Sequence, residues 1–147
     1  MRNKDFLSAT GKLSIVVNDN AGNLKQELNV TNLVVDTGLD YIASRMKDTS
    51  ATAMSHMAIG SGTNDPAAGD TTLQTQLGRV SLLSTTVTSN SVEYVATFPA
   101  GTGTGAVTEA GIFNNSTGGT MLCRTEFAVI NKAAGDSMTI TWTVTVE

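Results

Sequence analysis

The 147-residue chain is expected to fold as an all-β domain, mainly antiparallel. The expected architecture is a β-sandwich, jelly-roll-like, with about eight strands and one short helix near residues 37–47. Three observations predict it. Residues 138–146 alternate without a break: Met138, Ile140, Trp142, Val144 and Val146 are apolar, with Thr139, Thr141, Thr143 and Thr145 between them. Period-two alternation of this kind belongs to a strand with one buried face. The same pattern recurs upstream in short runs separated by Gly- and Asn-rich turns. Helical spacing is convincing in one segment only.

Leu13, Ile15 and Val17 begin the first hairpin, whose loop Asn18-Asp19-Asn20-Ala21-Gly22-Asn23 is rich in residues that tolerate positive φ. Leu24, Leu28 and Val30 return on the second strand. Asp36 or Thr37 can cap a helix carrying Leu39, Ile42, Ala43 and Met46 at helical spacing. Residues 54–59 form a short strand. A helical turn is expected over residues 71–77, capped by Asp70, with Leu73 and Leu77 on one face. A second hairpin joins residues 79–88 to 91–98 through Ser89-Asn90. A third joins 107–113 to 121–127, with Gly118-Gly119 in its turn. The alternating strand described first closes the chain. Its threonine wall suits an exposed pleated face or a subunit contact. No linker divides residues 1–147, so one domain is expected, with residues 1–10 as a loose arm.

Composition narrows the function classes. Charged residues make up 15% of the chain, against about 25% in an ordinary domain, so the surface is expected to be polar but weakly charged. The net charge of −4 and scattered Lys and Arg argue against nucleic-acid binding. Cys123 is the single cysteine, which precludes an internal disulfide. Neither a signal peptide nor a membrane-spanning run is visible, so no membrane partner is expected.

Chemistry is sparse. His56 is the single histidine, and no nucleophile elbow accompanies it; it reads as a half-buried structural residue. Cys123 reads as a small core hydrophobe. Gly101-Thr102-Gly103-Thr104-Gly105 leads into a strand, not a helix, and there is no Walker lysine, so no nucleotide is expected. Residues 60–70 carry amide and acidic oxygens in no calcium-loop spacing. The reading is therefore of no catalytic residues, no cofactor, no metal and no enzyme. Glu109 lies within an otherwise strand-like run and needs a partner if buried. An ion pair of Glu109 with Arg124 or Arg79 is expected. The candidate assembly surface is the face of Thr139, Thr141, Thr143 and Thr145, alongside the N-terminal arm and the 60–70 loop.

The order of motifs carries a resemblance. Asn32-Leu33-Val34-Val35-Asp36-Thr37-Gly38-Leu39-Asp40 is followed by Met57-Ala58-Ile59-Gly60-Ser61-Gly62-Thr63 and Leu77-Gly78-Arg79. Thr97-Phe98-Pro99-Ala100-Gly101-Thr102-Gly103, Glu109-Ala110-Gly111-Ile112-Phe113-Asn114 and Thr139-Ile140-Thr141-Trp142-Thr143-Val144 complete the series. From about residue 30 onward this order resembles small virion structural proteins of tailed bacteriophages, of the capsid decoration or cement and tail-fibre-like kinds. The resemblance implies a virion location after assembly in the host cytoplasm. It also implies a homo-oligomer, dimer or trimer, with phage major capsid protein or tail and collar proteins as partners. The chain stops after one domain, which favours the capsid over a tail, collar or fibre placement. A carbohydrate-binding adhesion module is the remaining alternative. It would present exposed aromatics, and most of the seven aromatic residues here fall in core-like alternation.

Overall fold

A computed structural model describes residues 8–47 and 52–147. Among these, nine strands and one helix follow in chain order: β1 (Ala9–Asn18), β2 (Leu24–Val34), α1 (Asp36–Ser44), β3 (His56–Gly60), β4 (Gln76–Ser81), β5 (Ser84–Thr88), β6 (Ser91–Phe98), β7 (Gly105–Phe113), β8 (Met121–Lys132) and β9 (Ser137–Val146). The chain is all-β and antiparallel throughout, as expected. The strands form a single sheet in the order β4-β3-β7-β8-β2-β1-β9-β6-β5.

That sheet curls so that its two halves face each other. The half β2-β1-β9-β6-β5 contributes Leu13, Ile15, Phe98, Ile140 and Trp142 to the core; the half β4-β3-β7-β8 contributes Met57, Ile59, Ile112, Phe127 and Ile130. Burying each such side chain contributes about 1.5–3 kcal/mol. The halves join where β2 meets β8 through two residue pairs, Leu33↔Arg124 and Val34↔Cys123.

Strand β9 follows its alternation closely. Met138, Ile140, Trp142 and Val144 are buried, and the threonines between them are half-exposed. It lies between β1 and β6, pairing Trp142 with Leu13 on one side and Tyr94 on the other. Asn32 of β2 reaches the indole: Trp142 Nε1 donates to Asn32 Oδ1 at 2.9 Å. Gly11 permits this, because a Cβ there would sit 1.8 Å from that oxygen.

Several expectations change. The helical turn over residues 71–77 does not form; β4 begins at Gln76 and the preceding backbone is held by a side chain described below. The expected strand 79–88 is two strands at opposite ends of the sheet. The break falls at Leu82-Leu83, where Leu82 N–H donates to Ser55 O at 2.9 Å and Leu83 N–H donates to Val95 O at 2.7 Å. Successive residues thus belong to different halves.

The helix starts at Asp36 with Val35 in the cap position and no side-chain cap. Thr37 Oγ1 instead donates to Met121 O at 3.0 Å. Its buried position is Gly38, not Leu39 or Met46, both of which are exposed. The backbone of Leu122 comes so close that a Cβ on Gly38 would lie 2.0 Å from Leu122 O. Of the expected N-terminal arm, residues 1–7 lie outside the described residues, while Ala9 and Thr10 pair with β9.

Candidate functional site

Strand β7 is buried on both faces over residues 107–113, and β8 over residues 121–125. The inner face lines the main core. Over the outer face lies a second cluster of Val35, Ala58, Leu73, Phe113 and Met121. The long connection from β3 to β4, residues 61–75, covers this face, and its backbone amides need acceptors.

Glu109 supplies them. It is fully buried. Oε1 accepts from Gly62 N at 2.9 Å and Thr75 N at 2.8 Å, and Oε2 accepts from Gln74 N at 3.0 Å. Arg124 donates to Oε2 from Nε at 3.1 Å and NH2 at 2.9 Å. Burial works against the Glu109 charge, but the amides of Thr75 and Gln74, then Arg124 and Gly62, outweigh it and hold the carboxyl below its usual range. Arg124 also bonds Asp70 Oδ2 at 2.9 Å and Asn64 Oδ1 at 2.9 Å. One buried pair therefore ties β7, β8 and both ends of the long loop together.

Register explains the geometry. Arg124 pairs with Gly111 across β7–β8, and Glu109 with Glu126. Arg124 and Glu109 are thus diagonal neighbours, two residues apart on one face, and a Cβ on Gly111 would press on Leu73, Met121 and Phe113 at 3.1–3.2 Å. Of the two expected partners, Arg124 pairs with Glu109 and Arg79 does not. Arg79 lies opposite Ala58, while Glu109 lies opposite Gly60. That is a displacement of two residues, or roughly 7 Å along the strand. Arg79 instead stacks on the Phe113 ring at 3.8 Å and donates to Asn115 O and Gly118 O, each at 3.0 Å. It braces the β7–β8 turn, where Gly118 and Gly119 adopt φ of 58° and 76°.

A second polar cluster holds the β8–β9 turn. The buried Lys132 ammonium donates to Pro99 O at 3.0 Å and Asp136 O at 2.7 Å. Burial lowers its affinity for the proton, opposed by the Asp136 charge. Lys25 bonds Asp136 Oδ2 at 2.5 Å. That bond and the Ala133 amide hold the Asp136 carboxyl below its usual range.

The threonine face lies on the outside of the sheet. Thr139 shares a hydrogen bond with Thr97 at 2.9 Å, and Thr145 with Ser91 at 2.8 Å. Thr141 and Thr143 instead line an open groove of about 750 Å³ that crosses β9, β1 and β2, with Lys12, Asn29 and Glu126 around it. Among the described residues, no aromatic side chain lines it. Sequence reasoning found its threonine wall but missed the β1, β2 and β8 residues, because their outward positions are ordinary polar residues until the strand order is known.

His56 has hydroxyls at both ring nitrogens, Ser55 at 2.8 Å and Ser81 at 3.3 Å. Cys123 is fully buried, and burial pushes its thiol well above the ordinary range. Among the described residues, no three His, Cys, Asp or Glu side chains converge as metal ligands would. No described helix is long and apolar enough to cross a membrane. No family model, curated protein or solved structure matches the chain.

Proposed function

We propose that this chain is a non-enzymatic structural protein of a tailed-phage virion: a capsid decoration or cement protein that binds across neighbouring major capsid subunits. The observation that carries the reading is the outer face of β9-β1-β2, a broad shallow groove walled by Thr141 and Thr143. Its small hydroxyl side chains project from a rigid pleated surface and carry little side-chain entropy to lose on contact. Such a face suits a protein partner. A glycan-binding groove would use aromatic stacking platforms, and none of the described residues lining this one is aromatic.

The buried charges support the same reading. Glu109 accepts five hydrogen bonds, which leaves it a poor proton donor or acceptor and a good structural clamp. The resemblance in motif order supplies the virion context.

The test is location. Virions from the phage that encodes the chain are banded on a density gradient and imaged by cryo-electron microscopy. The expected result is chain density in many copies outside the capsid, with the threonine face against the capsid subunit. Density confined to the tail or collar would replace decoration by the alternative placement. Absence of the chain from intact particles would overturn the virion reading.

A further inference from the structure

The sheet does not close on itself, so it has two edges, β4 and β5. Proteins that remain monomeric blunt such edges with charge, proline, bulges or a covering segment. Strand β4 uses several of these devices. It carries Arg79, its pairing to β3 shifts register at Ile59/Gly60, and the loop at Gly103 packs against it, within 3.0 Å of where a Cβ of Gly78 would be.

Among the described residues, strand β5 uses none. Its five residues, Ser84-Thr85-Thr86-Val87-Thr88, are all exposed and uncharged. Three are threonine and one is valine, types that favour extended pairing. Thr85 and Val87 lie opposite Tyr94 and Val92 of β6, and so face the inner side of the sheet. Val87 is nevertheless 70% exposed, and the neighbouring Leu83 68%. Between this strand and α1 runs a mostly apolar cleft of about 330 Å³, lined by Tyr41, Ile42, Met54, Thr85, Val87 and Val92, with Arg45 also on its wall. Among the described residues, the sandwich is open on this side.

We propose that β5 pairs with β5 of a second copy of this chain, antiparallel about a two-fold axis at Thr86. The match is to itself. That register sets Thr86 against Thr86, Thr85 against Val87 and Ser84 against Thr88, so all five residues pair and no charge meets a like charge. Each Val87 then closes the mouth of the other copy's cleft. A two-fold contact of this kind also stops at a dimer. The ladder alone is short of the roughly 1,000 Å² of a stable interface, so the covered clefts and Leu83 contribute the rest and the pairing is concentration-dependent. The proposal deepens the assembly reading by naming a surface, but it stands on the sheet edge.

Sedimentation equilibrium on the full chain, across a series reaching millimolar, is expected to show the mass rising from 15.3 kDa towards twice that value. Thr86→Lys puts two ammonium groups face to face at the axis and returns the mass to the monomer. Within its own chain it gains Glu93 across β6, so its melting curve should match the parent. Thr86→Cys tests the register separately. Directly opposed antiparallel residues lie about 4.5–5.5 Å apart at Cα, within disulfide reach, and mild oxidant should give a covalent dimer. Thr117→Cys, in the exposed β7–β8 turn, should not. A monomer throughout the series overturns the proposal. So does a dimer that Thr86→Lys leaves intact, or equal cross-linking at both cysteines. A monomeric chain found on capsids would remove the edge pairing and leave the virion reading standing; a dimer absent from virions would do the reverse.

Discussion

Replacing Glu109 with Gln changes one atom of the clamp over β7 and β8, and its cost follows from the hydrogen bonds. The two carboxylate oxygens accept five of them: Gly62 and Thr75 on Oε1, Gln74 and two from Arg124 on Oε2. A glutamine has one oxygen. Placed at the Oε2 position, its amide nitrogen would face three donors; placed at Oε1, it would face two. Either way Arg124, which is 1% exposed, loses its fully buried counter-charge. Removing one partner of a buried pair costs about 3–5 kcal/mol. Unfolding entropy near 2.1 cal/mol/K per residue amounts to about 0.31 kcal/mol/K over this chain, so the melting temperature should fall by roughly 10–16 °C. Calorimetry on both proteins measures this directly. Replacing Arg124 with Met in the same protein should not restore stability, because a single oxygen at position 109 still leaves either Gln74 or both Gly62 and Thr75 without an acceptor.

The pH dependence has a definite sign. Glu109 has a folded-state pKa below its unfolded value, so its contribution is complete above the unfolded carboxylate range and is lost as pH falls through the folded value. The parent should therefore lose stability on acidification below about pH 5, and E109Q should lose that part of the slope. A melting shift under about 3 °C, or parallel pH profiles for the two proteins, would refute the clamp.

Three further outcomes follow from buried positions. Gly38→Ala would normally favour a helix by up to about 1 kcal/mol. Here the added carbon meets Leu122 O at 2.0 Å, so thermal melting should show a loss of about 1–3 kcal/mol, and any gain would contradict the close approach of α1. Trp142→Phe leaves Asn32 Oδ1 without its donor beside a side-chain nitrogen that already lacks a partner. Chemical denaturation should show a loss of about 1–3 kcal/mol, part of it recovered by adding Asn32→Val; no recovery would mean that packing alone carries the loss. Cys123 should resist an aromatic disulfide reagent at about pH 8 and react on unfolding; rapid native-state labelling would show that β8 opens locally.

The sequence revealed most where each residue answers to a local rule. Strand β9 was legible because every second side chain meets one core, and the β1–β2, β5–β6 and β7–β8 hairpins because their turns are short. It failed where a distant partner decides. Leu73 and Leu77 have helical spacing, yet the amides of Gln74 and Thr75 bond the Glu109 carboxylate, and a helical turn would point them elsewhere. The run from Arg79 to Thr88 looks continuous because both of its halves favour strand. The adjacent apolar pair Leu82-Leu83, which breaks the alternation, was the available sign that the chain changes sides. Arg79 and Arg124 were equivalent partners for Glu109 until the register separated them. The groove beside Thr141 and Thr143 needed the strand order, which brings residues 12, 29 and 126 to a wall built from the end of the chain.

That strand order bears on how the chain is made. Going from β1 to β8, successive hairpins fall alternately in the two halves of the sheet, and β9 then enters between β1 and β6. Strand β1 must wait for a neighbour more than a hundred residues downstream, Ala9 pairing with Val146. During synthesis the half that holds β1 and β6 is expected to stay split, with Leu13, Ile15 and Tyr94 uncovered, until β9 has left the ribosome. Sequence separations of this kind slow folding. A product released before Ser137 would lack Trp142 and the strand that bridges β1 to β6, and its open core would mark it for proteolysis.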